Sequence, residues 1–94
     1  RSLFIGFLPL KEGKKRRLIE SLRSEPGTLV FYESPFRVRK TLKLLAEILG
    51  NRPAVLTHEL TKIHEEFRRG TLAELSLSPV VEKGEWIVLV QGFK

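Results

Sequence analysis

Two short polar clusters in this sequence carry groups able to donate, accept or exchange protons. One is Tyr32-Glu33-Ser34-Pro35-Phe36-Arg37, and the other is Thr57-His58-Glu59-Leu60-Thr61-Lys62-Ile63-His64-Glu65-Glu66. A carboxylate such as Glu33 or Glu59 can act as a general base when partial burial lifts its pKa towards neutrality. Lys62 can steady a developing oxyanion or hold a phosphate. Plain structural roles stand beside these. Ser34 followed by Pro35 is a good helix start, and Glu33 can cap that helix or pair with Arg37. His58 and His64 are six positions apart rather than the four of His-Glu-x-x-His, and structural zinc wants four convergent ligands, so no metal site is expected. The sequence contains no Gly-x-Gly-x-x-Gly, Walker loop or serine nucleophile elbow.

A third cluster is basic. Lys11-Glu-Gly-Lys-Lys-Arg-Arg17 places Lys14, Lys15, Arg16 and Arg17 at the start of an expected helix. There the helix macrodipole disfavours positive charge by a few tenths of a kcal/mol or more each. Fold stability alone would not select that arrangement, so phosphate contact is the functional reading and a solvated helix end the plain one. Arg37, Lys40 and Lys43 extend the same possible track along the next helix.

The elements that must position these groups follow from hydrophobic pattern. Leu3–Leu8, Thr28–Tyr32, Pro53–Thr57 and Trp86–Val90 are short, nearly continuous apolar runs, as expected of strands buried on both faces. Lys14–Arg23 reads as a helix with Leu18, Ile19 and Leu22 on one side. A second helix runs from Ser34 as N-cap through Val38, Leu42, Leu45 and Leu49 to a left-handed stop at Gly50. Ile63–Arg69 reads as a helical turn closed by Gly70, and Thr71-Leu-Ala-Glu74 as a capping box opening a short third helix. Residues 76–84 read as a loop. The expected architecture is α/β: a small mixed sheet of about four strands with flanking helices, its strand order open and its last strand free to run antiparallel. Ligands in such sheets bind beyond the carboxyl ends of the strands, where both polar clusters fall.

Composition sets the outer limits. Ninety-four residues make one domain with one core. A chain that begins with Arg1 and has no methionine reads as a piece of something longer. Cysteine is absent, which removes disulfides and thiolate metal sites and permits a cytoplasmic home. No apolar run approaches the roughly twenty residues of a membrane span, so no membrane partner is expected. Seventeen Lys and Arg against eleven Asp and Glu give a net charge of +6, which favours an anionic partner, nucleic acid first.

Taken together, Phe4-Ile-Gly-Phe-Leu-Pro9, Phe31-Tyr-Glu-Ser-Pro35 with Arg37, Glu59-Leu-Thr-Lys62 with His64-Glu-Glu66, Arg69-Gly-Thr-Leu-Ala-Glu74 and Lys83-Gly-Glu85 resemble the ribosomal RNA small-subunit methyltransferase I family, within the tetrapyrrole-methylase-like, class III methyltransferases. The resemblance covers nearly the whole chain in order. It departs at Phe36, where the family usually has His, at Leu10, where a basic residue often follows the Pro, and at His58, where Arg is common.

The resemblance implies the carboxy-terminal half of a two-domain enzyme that holds S-adenosyl-L-methionine between its domains. The amino-terminal domain, with the glycine-rich cofactor loops, would be the partner that completes the site. The implied reaction is 2′-O-methylation of a cytidine ribose in 16S ribosomal RNA, on the RNA itself or the small ribosomal subunit. Tyr32, Glu33, Thr57, His58, Leu60, Thr61 and Gly92 would border the cofactor. Glu33, Glu59 and Lys62 would serve catalysis, and Lys11, Lys14, Lys15, Arg16, Arg17, Arg37 and Lys40 would touch RNA. This piece alone would be inactive. Alternatives left open are a tetrapyrrole methylase domain, a non-catalytic RNA-binding module and a domain that mediates homodimerisation.

Overall fold

The computed structural model describes residues 1–59 and 65–94, with the backbone alone for Glu59 and Glu65. In chain order the elements are β1 (Ser2–Phe7), α1 (Glu12–Ser21), β2 (Thr28–Glu33), α2 (Val38–Leu49), β3 (Pro53–Glu59), β4 (Glu65–Thr71), α3 (Leu72–Ser76) and β5 (Trp86–Val90). The described strands form one mixed sheet in the order β1-β2-β5-β3-β4. β1 and β2 are parallel, and β5 runs antiparallel to both β2 and β3. β1, β2 and β3 therefore all point the same way.

Four strands and three helices stand where the apolar runs predict them. The fifth strand, β4, replaces the helical turn expected over Ile63–Arg69, of which positions 63 and 64 lie outside the described residues. Ile63 and Phe67 are four apart and mimic helical spacing, but Glu65–Thr71 instead hydrogen-bonds to β3 along its whole length, Pro53 against Thr71 through Glu59 against Glu65. The pairing outweighs a local pattern that carries little apolar periodicity of its own. Thr71 does open α3, with its hydroxyl accepting from Glu74 N and the Glu74 carboxylate accepting from Thr71 N.

Apart from Val30 of β2, which is 6% exposed, the strands are not buried on both faces as their composition predicts. Leu29, Phe31, Ala54, Leu56, Trp86, Val88 and Val90 share one core with Ile19, Val38, Leu42, Leu45, Leu49, Leu72 and Leu75 of the helices. The alternate positions Tyr32, Val55, Thr57, Ile87 and Leu89 are only half-buried, and no described element covers them. Both crossovers, β1 to β2 and β2 to β3, move the same way across the sheet, and right-handed connections then put α1 and α2 on one face. α3 packs beside α2 on that face. The sheet has a helix-covered face and a bare face.

A bulge in β1 shapes the bare one. The register skips from Phe4 opposite Val30 to Gly6 opposite Phe31, and Gly6 has φ +75°. The extra residue puts Phe4 and Phe7 on the same side, three apart where strict alternation would separate them. Both rings make T-shaped contacts with Tyr32, at centroid distances of 5.2 and 5.5 Å.

Candidate functional site

Because β1, β2 and β3 are parallel, their carboxyl ends share one edge, and β5 enters from Lys83-Gly84-Glu85 beside them. Two rows of side chains reach this edge, one on each face. On the bare face the row is Phe7, Tyr32, Ile87, Thr57 and Phe67; on the helix side it is Glu33, Trp86, His58 and Glu66. The bare row is an aromatic and aliphatic shelf with two hydroxyls, and Phe67 at its end is 59% exposed.

The helix-side row is closed. Glu33 is 4% exposed, and both carboxylate oxygens are occupied: Oε1 accepts from Ser34 N at 2.9 Å and Arg37 Nε at 3.2 Å, and Oε2 accepts from the Thr41 hydroxyl at 2.8 Å. Glu33 thereby ties the end of β2 to the start of α2. The Glu33 carboxylate, expected among the catalytic and cofactor-bordering groups, is turned towards α2 and hydrogen-bonded there. That network also moves the helix start. α2 begins at Val38 with Arg37 as N-cap, and Ser34 contributes its backbone carbonyl to Arg37 N and Val38 N rather than a capping hydroxyl.

His58 is likewise inside the fold, at 1% exposure, with its ring stacked on Trp86 at 4.0 Å and 13°. Its Nε2 meets the Lys83 carbonyl, Trp86 Nε1 donates to Val81 O at 3.3 Å, and the Arg68 guanidinium lies 5.4 Å from the Trp86 ring while bonding Glu66 and the Pro79 carbonyl. The loop after α3 is thus fastened under the sheet edge by residues from β3, β4 and β5. His58, expected among the cofactor contacts, lies on the helix side of the sheet and does not face the shelf. Two buried polar atoms near this edge, Ser34 Oγ and His58 Nδ1, have no hydrogen-bond partner among the described residues.

The remaining expected contacts are distributed as follows. Tyr32 and Thr57 sit together on the shelf, separated only by Ile87. Glu59 ends β3 at the same edge, while Leu60, Thr61 and Lys62 lie outside the described residues. Gly92 follows β5 at the opposite edge. A methyl group there would come within 2.1 Å of Pro26 O and 2.4 Å of Gly27 O, so Gly92 is required by a close backbone approach. It does not join the Tyr32–Thr57 group. Near it, the bare face holds an open hollow of about 580 Å³ bordered by Thr28, Val55, Leu89, Gln91 and Arg69.

The cations divide. Lys11, Lys14, Arg17, Arg37 and Lys40 are exposed, whereas Lys15 is 9% exposed. Arg16 is held by Glu47 at 2.7 Å and Glu12 at 3.7 Å, and the Glu47 hydrogen bond raises its pKa above the ordinary guanidinium value. Its charge is matched by these two carboxylates at the surface. Trp86, Phe67 and Arg68 have site positions that the sequence reading did not single out. The signal available was the capping box at Thr71, which leaves the six residues before it, Glu65–Gly70, free to be a strand.

A family model described as tetrapyrrole (corrin/porphyrin) methylases matches residues 1–76. The chain is 47% identical over 92 residues to ribosomal RNA small subunit methyltransferase I of Micromonospora olivasterospora, covering 95% of this chain and 29% of that protein. It is 41% identical over 91 residues to the protein of the same name from Bacillus subtilis, covering 95% of this chain and 31% of that one. The chain thus spans about a third of the length of these curated relatives. Among solved structures, a cobalamin biosynthetic enzyme, cobalt precorrin-4 methyltransferase, superposes over 95% of this chain and 40% of that one with a TM-score of 0.60 at 19% identity, a likeness of fold. With the family model covering most of its length, the chain belongs to the tetrapyrrole (corrin/porphyrin) methylase family.

Proposed function

We propose that this chain is the carboxy-terminal domain of an S-adenosyl-L-methionine-dependent methyltransferase that modifies ribosomal RNA in the cytoplasm, at the 2′-oxygen of a cytidine in 16S RNA. The observation that carries the reading is identity of 41–47% along 95% of the chain with proteins named ribosomal RNA small subunit methyltransferase I. The amino-terminal domain of the same protein supplies the opposite wall of the site.

The carboxyl edge suits one side of an adenosyl ligand. Tyr32, Phe7 and Ile87 offer an apolar shelf, and the Tyr32 and Thr57 hydroxyls offer hydrogen bonds. The bound cofactor supplies a methyl group already activated on a sulfonium, so the protein's share is alignment and removal of the hydroxyl proton. Glu59, at the end of β3, is the general base in this reading, and Lys62, three positions on in the sequence, holds phosphate or oxyanion charge. Glu33 positions the edge by fixing α2 to β2 rather than by touching substrate.

The test is a methylation assay with the full-length protein, small ribosomal subunits and a methyl-labelled cofactor. Label is expected in 16S RNA at a nucleotide that resists alkaline cleavage, because a methylated 2′-oxygen cannot attack the neighbouring phosphate. Label on a base, or no label in RNA, would overturn the reading.

A further inference from the structure

We propose that the groove between α1 and α2 is a phosphodiester-binding site that takes the backbone of the RNA leading into the carboxyl edge; this rests on the ribosomal RNA reading above. The groove has a volume of about 190 Å³. Within it Arg16 is matched by Glu12 and Glu47, and those two carboxylates are thereby engaged. The lining also includes Lys15 from α1 and Lys40 and Lys43 from α2. Among the described residues none of these three lysines has a carboxylate within ion-pairing distance.

Lys15 is the informative member. It lies four residues before the buried Ile19 and so on the packed side of α1, and it is more than nine-tenths buried. Its aliphatic stem is packed against the fold while its ammonium, which has no partner among the described residues, opens on a groove that Lys40 and Lys43 also line. An anion entering from solvent would relieve all three at once. Lys40 and Lys43 are three apart and share a helix face, so the charges form a short track rather than a point. That geometry fits successive phosphates better than a single small anion.

The location gives the track a direction. α1 and α2 both begin beside the carboxyl ends of the strands they follow. Lys15 and Lys40 fall within the first turn or so of their helices, a few ångströms along the axis from the edge at 1.5 Å per residue. A strand of RNA held in the groove would run from the helical layer towards Tyr32, Thr57 and Glu59, with its target ribose at the edge.

The experiment is a salt titration of binding by the full-length protein with two probes, a labelled single-stranded oligouridine and inorganic polyphosphate. Wild type is compared with Lys40→Gln/Lys43→Gln, with Lys15→Gln, and with a control, Arg1→Gln/Lys94→Gln, that removes two charges elsewhere. At about 0.7 per single-strand phosphate contact, the slope of log affinity against log salt should fall by about 1.4 in the Lys40/Lys43 variant. The control should change it by less than half as much. Lys15→Gln should lower the slope by about 0.7 where thermal melting shows it folded, and the exposed Lys40/Lys43 pair decides the matter if it is not. In the methylation assay the Lys40/Lys43 variant should raise KM for the ribosomal subunit and leave kcat unchanged. Equal losses in groove and control variants, or none in either, would overturn the groove while leaving the methyltransferase reading intact. Wild-type binding of polyphosphate without RNA would overturn the RNA backbone as occupant and, with it, the ribosomal RNA reading.

Discussion

The two faces of one sheet separate the structural polar groups from those left available. Tyr32 and Glu33 are neighbours in sequence, yet one projects onto a shelf with no described cover and the other disappears under α2 with both oxygens occupied. Thr57 and His58 repeat the split one strand pair away, His58 stacking on Trp86 inside the fold. On a strand, a polar cluster at the right edge is two half-clusters with different roles. Which half is available depends on which face the helices cover.

The largest test of that division is truncation across the sheet. Trp86→Ala, on the covered face and fully buried, should cost about 3–5 kcal/mol of stability, as large aromatic deletions from cores do. Phe67→Ala, on the bare face and 59% exposed, should change stability by no more than about 0.5 kcal/mol. Chemical denaturation of both variants reads the difference directly. Similar losses would mean that the bare face is covered and the two faces are not distinct.

Gly92 extends the comparison from faces to edges. If the edge opposite the strand ends is held by close backbone packing, Gly92→Ala should destabilise by about 1–3 kcal/mol, since its added methyl must displace the Pro26 and Gly27 carbonyls. Normal stability with impaired cofactor binding would instead return Gly92 to the ligand site. A smaller effect is expected at Thr41. Thr41→Val keeps the shape and removes the hydroxyl that serves Glu33 Oε2, so stability should fall by about 1 kcal/mol, measurable by melting, with methylation per folded molecule unchanged.

Much of this fold was legible in the chain. Trp86–Val90 is a strand over the very residues of its apolar run, and the Thr71–Glu74 capping box opens α3 where its spacing requires. β4 was not legible, because Glu-Glu-Phe-Arg-Arg-Gly-Thr has neither apolar alternation nor a turn signal and becomes a strand only by pairing with β3. The bulge at Gly6, which brings Phe4 and Phe7 together, left only a glycine as its trace. The edge that gathers Tyr32, Thr57 and Glu59 was legible from the strand ends, but the facing of Glu33 and His58 was not. Facing depends on strand order and on crossovers that place α1 and α2 on one side, both tertiary properties. Lys15 was a missed opportunity: its spacing of four from Ile19 already set it apart from Lys14 and Arg17.

The claim that adjacent residues of β2 divide ligand binding from structure is tested most directly by calorimetric titration of S-adenosylmethionine into the full-length protein. Wild type, Tyr32→Ala and Glu33→Gln are compared, each with its melting temperature. Tyr32→Ala should weaken binding about tenfold or more, equivalent to about 1.4 kcal/mol, at the cost of some melting temperature from its lost Phe4 and Phe7 contacts. Glu33→Gln should lower the melting temperature and leave affinity within about twofold, because its carboxylate serves Ser34, Arg37 and Thr41. The opposite pattern, with Glu33→Gln stable but unable to bind and Tyr32→Ala binding normally, would contradict the account.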